Sequence, residues 1–71
     1  MSEEKLRLEK LIEHWIEHND EHGNRFIDEA NKAERLGFME AAEEMKNAAK
    51  ASRSVSDHLW KAFERIKDSD L

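Results

Sequence analysis

Two stretches of the chain carry inward-type residues at alternating steps of four and three, and the stretches mirror each other across residue 37. Leu8, Ile12, Trp15, Asn19, His22 and Phe26 are separated by 4, 3, 4, 3 and 4, and Ala30 and Ala33 prolong the row. Ala41, Met45, Ala48, Ser52, Val55, Leu59, Ala62 and Ile66 repeat the pattern. Such heptad-like spacing places one stripe of residues along one side of an α-helix. Between the two rows stands Leu36-Gly37-Phe38, and glycine is the usual residue just past a helix end because it takes positive φ without strain. Ser2 followed by Glu3 and Glu4 reads as a helix start, with a hydroxyl cap and acids in the positive first turn.

The pattern predicts an all-α antiparallel hairpin, with helices over about 3–36 and 38–68, a turn at Gly37 and a frayed tail over 69–71. Folding the rows back symmetrically about Gly37 sets Ala33 against Ala41, Ala30 against Met45, His22 against Ser52, Asn19 against Val55 and Leu8 against Ile66. The polar members Asn19, His22 and Ser52 then fall at adjacent levels. Composition agrees: Glu, Lys, Ala, Leu and Arg dominate, Pro and Thr are absent and Val occurs once. The alternative is a compact three- or four-helix bundle with breaks near Gly23 and within Ser52–Ser56, because glycine and clustered serines weaken a helix interior.

A chain of 71 residues makes one small domain, and small domains often need a metal, disulfides or a second copy to be stable. With no cysteine, disulfides, thiolate metal sites and cysteine nucleophiles are excluded. Twelve Lys and Arg against 17 Asp and Glu give a net charge of −5, which disfavours nucleic acid as a partner. No apolar run suits a membrane span, and the acidic start lacks a signal-peptide core, so a cytoplasmic location is expected. An enzyme is not expected either. Gly23 and Gly37 are isolated, so there is no phosphate-binding loop; the serines lack a nucleophile elbow; and the Glu-x-x-His pairs of a di-iron bundle are missing.

One side of the expected hairpin carries Ile16, Ile27, Trp60 and Phe63, a strip two helices cannot cover alone. It is the expected interface of a homodimer that forms a four-helix bundle. The opposite side carries His14 and His18, with His58 from the second helix at nearly the same level and His22 one turn on. Histidines at i and i+4 stand one above the other and can both reach one ion. Three imidazoles leave the fourth tetrahedral position open. His14, His18, His58 and His22 are therefore candidate ligands for zinc, nickel or cobalt. The plainer reading is a polar flank of histidines bonded to carboxylates, with His22 a seam residue bonded to Ser52 or Asn19.

The segment from His14 to His22, HWIEHNDEH, resembles an uncharacterised small helical domain with the pattern HWxxHNxxH, found in archaeal and bacterial proteins and loosely associated with cobalt and nickel handling of the chelatase type. The resemblance is close over about 15 residues and implies that His14, His18 and His22 act together on metal. His58 lies outside it. Two functions are thus expected in competition: a small helical metal-binding module, or a homodimeric interaction and scaffolding module that holds no metal and engages its own copy or a partner protein.

Overall fold

A computed structural model describes residues 2–69. Two helices make up the fold: α1, Glu3–Arg35, and α2, Met39–Lys67, packed against each other as a hairpin with no strand among the described residues. The Ser2 Oγ accepts from the Lys5 backbone N–H at 3.1 Å, capping α1 as the sequence predicts. Both helices run unbroken through Gly23 and through Ser52–Ser56, so the multi-break bundle is not the fold. Ser69, in the tail expected to fray, has its carbonyl bonded by the Lys5 ammonium at 2.7 Å; residues 70 and 71 lie outside the described residues.

The turn closes through backbone hydrogen bonds. The Gly37 N–H donates to the Glu34 carbonyl at 3.0 Å, and the Phe38 N–H donates to the Ala33 carbonyl at 2.9 Å. Together these form a Schellman motif, which requires the residue past the cap to adopt positive φ; Gly37 has φ +93°. An ion pair between Lys46 and Glu34 at 2.7 Å ties the helices just below the turn.

The contact line between the helices differs from the expected stripe by a rotation of one position. Ile12, Ala30, Ala42, Ser52, Ser56 and Phe63 are buried, with Ile16, Asn19, Gly23, Met45, Ala49, Leu59 and Ile66 half-buried beside them. Leu8, Trp15, His22, Phe26 and Val55, expected in the seam, are exposed. Size explains the rotation. Two helices in contact share a narrow line, and small residues there let the backbones approach closely. Gly23 and Ser52 do so at mid-length, leaving no room for Trp15 or Phe26 between the axes. The matched order survives: Lys5 bonds Ser69, Asn19 bonds Ser56 and Gly23 faces Ser52, so at these three levels facing residue numbers total 74 or 75.

The outcome is a slab of 54 × 14 × 10 Å, measured on Cα atoms. Its radius of gyration is 16.3 Å, whereas a compact chain of this length has one of about 11 Å. Among the described residues, no large side chain is fully buried.

Candidate functional site

The two long sides of the slab differ in chemistry. On one side, Ile16, Ile27, Ala49 and Trp60 line an open groove, but Asp20, Asn24, Arg53 and Asp57 are interleaved with them. Beneath it runs a polar network joining the helices. The Asn19 side-chain amide donates to the Ser52 carbonyl and, at 2.8 Å, to the Ser56 Oγ. The Ser56 hydroxyl donates to the Asp20 carboxylate, and the Ser52 hydroxyl donates to the Asn19 carbonyl at 3.0 Å. Asn19 in a seam of apolar spacing suggests a register-setting role from the sequence. The parts played by Ser56 and Asp20 were missed, because Ser56 lies off the expected seam.

The expected interface residues sit on this side with one correction. Ile27 and Trp60 are exposed and Ile16 is half-buried, but Phe63 is only 8% exposed and belongs to the core between the helices. The Trp60 ring stacks on Phe63 with centroids 5.2 Å apart and planes 4° from parallel, so part of the indole is already covered.

The other side carries the histidines. His14 and His18 have ring centroids 4.7 Å apart, His18 and His22 are 5.9 Å apart, and His22 lies 6.4 Å from Phe26. The i, i+4 spacing makes this ladder, each ring one helical turn above the last. His14, Trp15, His18, Asn19, His22, Val55 and Leu59 line a shallow groove there. His22 is exposed within the ladder and is not the seam residue bonded to Ser52 or Asn19; those two bond each other.

His58 is exposed and does not line that groove. Among the described residues, no group of three or more His, Asp or Glu side chains is arranged to hold one ion. The expected set of His14, His18 and His58 is therefore not assembled within one chain. The reason is positional: His58 has the expected level, but at roughly 100° per residue it turns about 60° outward from Val55. His18 turns outward from Trp15 by the same angle on the other helix. The two imidazoles thus occupy opposite edges of one face.

That face is also apolar. Trp15 and Val55 line the groove, the His22–Phe26 ring contact places Phe26 with the ladder, and helical spacing sets Leu8 and Leu11 on the same side; each of the five is 37 to 47% exposed. The apolar spacing of Leu8, Trp15, Phe26 and Val55 shows in the sequence but reads there as the seam. No helix of the described residues is long and apolar enough to cross a membrane.

Fold and surface together define a two-helix antiparallel hairpin with one apolar, histidine-lined face. The chain belongs to the family described as a domain of unknown function, DUF8180, whose match spans residues 8–66 and includes most of both helices and the whole ladder. An uncharacterised protein of Archaeoglobus fulgidus is 38% identical over 60 residues, covering 84% of this chain and 95% of the relative. No solved structure matches the chain.

Proposed function

We propose that the chain is a self-associating scaffold module in which two hairpins pair through the histidine-lined face to form a four-helix bundle. The observation that carries this reading is area. The chain exposes 5892 Å², whereas a compact monomer of 8.4 kDa exposes about 4,600 Å². The surplus exceeds the roughly 800 Å² per partner of a standard protein interface. Stacking two slabs face to face gives the two-layer helical architecture that a single slab lacks. A second copy is the fitting occupant because the face offers apolar side chains and imidazoles without a run of one charge, so it can meet itself without like-charge repulsion.

Sedimentation equilibrium tests the reading. The wild-type chain is expected at twice its 8.4 kDa mass, Trp15→Glu at the monomer mass, and Trp60→Glu still at the dimer mass. Loss of the dimer in Trp60→Glu but not in Trp15→Glu would move the interface to the opposite groove; a monomeric wild type would remove it altogether.

One observation favours a second role, the handling of nickel, cobalt or zinc: the ladder already holds the His14 and His18 rings 4.7 Å apart. Within one chain that pair gives an ion two ligands and leaves it without a third.

A further inference from the structure

We propose that the third ligand comes from the second copy: His14 and His18 of one chain, with His58 of the partner subunit, make a site for a divalent transition-metal ion, and each dimer holds two such sites. The proposal rests on the dimer reading, and the geometry that leads to it is the register of the hairpin. Facing residues total 74 or 75, so His58 stands level with residue 16 or 17 of α1, between His14 and His18. Within one chain the width of the face separates it from them.

Two slabs that stack this face on its own copy are related by a two-fold axis lying in the plane between them. The axis runs either along the hairpin, with both turns at one end, or across it, with the turns at opposite ends. The turn selects the first. Leu36, Phe38 and Met39 are 73, 61 and 58% exposed, a greasy tip on an acidic chain. With both turns at one end, tip meets tip. In the other arrangement each tip would lie against the charged ends of α1 and α2, where Glu3, Glu4, Arg65 and Lys67 cluster. Rotation about the long axis sets α1 of one copy over α2 of the other, level for level and edge over edge. The α1 edge that carries His14 and His18 then lies over the α2 edge that carries His58 of the partner subunit.

The chemistry of that set is specific. Neutral imidazole is a borderline nitrogen donor suited to zinc, nickel, cobalt and copper, and not to calcium or magnesium. Ligand nitrogens sit about 2 Å from zinc, and rings 4.7 Å apart reach a common ion by side-chain rotation alone. Three imidazoles leave one tetrahedral position for water or an exogenous ligand, the pattern of an accessible ion rather than a closed structural one. A net charge of −5 favours the approach of a cation.

The test is complementation between two defective chains, with Ni²⁺ alone as the probe. Calorimetric titration of wild type is expected to give one ion per chain. His18→Ala and His58→Ala, both at exposed positions, are expected to keep helicity and dimer mass. Each is expected to weaken binding on the order of tenfold or more, since loss of a ligand costs at least what loss of a supporting residue costs. An equimolar mixture of the two is then expected to regain about a quarter of the wild-type number of tight sites, because half of randomly exchanged dimers are mixed and each mixed dimer has one complete site. His18→Gln and His58→Gln serve in place of the alanine variants should either lose helicity. Dimers that recover no tight sites on mixing would overturn the shared site and leave the scaffold reading intact. A wild type that sediments as a monomer would overturn the dimer itself. Tight nickel binding that survives His58→Ala in a dimeric chain would overturn the role given to His58.

Discussion

Gly23 lies so close to Ser52 that a β-carbon built on the glycine meets the serine Oγ at 3.2 Å and its Cβ at 3.5 Å. This contact is where the two axes are drawn together, and it explains an otherwise costly glycine in the interior of a 33-residue helix. Replacing an interior glycine by alanine ordinarily stabilises a helix by about 1 kcal/mol. Here the Ser52 Oγ is held by its bond to the Asn19 carbonyl and cannot swing away without loss. Gly23→Ala is therefore expected to show less than half of that gain in the wild-type background and all of it in Ser52→Ala, where only the 3.5 Å contact is left. Urea unfolding of the four chains in a double-mutant cycle measures the coupling, expected at about 0.5 kcal/mol or more. Strict additivity would show that the contact carries no weight.

Asn19 is the second fixed point. Its amide supplies donors to a carbonyl and a hydroxyl of α2, both in the part-buried seam. Asn19→Ala removes two part-buried hydrogen bonds between the helices, each worth about 0.5–1.5 kcal/mol. Glu17→Ala, on the exposed surface two positions away, is expected to change stability by about 0.5 kcal/mol or less. Denaturant midpoints at a shared m-value separate the two outcomes. Equal, small effects would mean that the Asn19–Ser52–Ser56 bonds are mere decoration on a line held by side-chain packing.

Much of the fold is legible in the residues themselves. The symmetric spacing about Gly37, the Ser2 cap and the missing proline lead to the hairpin, and the matched order of the two rows leads to its register. The rotation of the contact line is less legible. Hydropathy spacing treats Trp15, Phe26 and Val55 as inward residues because they are apolar, whereas the close approach at Gly23 and Ser52 selects for small size at mid-length. Gly23, Ser52 and Ser56, which look like helix breakers, are the residues that permit close packing. The same error carries over to the site. Spacing alone finds the His14–His18–His22 ladder, since it lies on one helix. The place of His58 needs the width of the slab, which no one-dimensional pattern contains.

The turn offers a test free of packing. A β-carbon on Gly37 would meet nothing within 4 Å, so any penalty for substitution there comes from the backbone at φ +93°. Gly37→Ala is expected to cost about 1–2 kcal/mol, the penalty of left-handed geometry for an L-residue. Gly37→Asn is expected to cost less, because asparagine tolerates that region better. Thermal unfolding of the three chains gives the order wild type, Asn, Ala. An alanine variant as stable as wild type would contradict the Schellman closure.

The direction of the dimer can be read by a single distance. The hairpin is 54 Å long, and Glu40 stands exposed in the first turn of α2, beside the tip. The chain has no cysteine, so Glu40→Cys introduces one unique attachment point for a spin label. If the two-fold axis runs along the hairpin, both labels lie at the same end, and pulsed dipolar spectroscopy should report a separation that is a small fraction of 54 Å. If the axis runs across, the labels lie near opposite ends and the distance approaches the length of the slab. The long distance would bring the His18 edges of the two copies together in place of the His18 and His58 edges. The same label thus decides which imidazoles can share an ion: a short distance is required for His58 to serve, and a long one removes it from the site while leaving the scaffold in place.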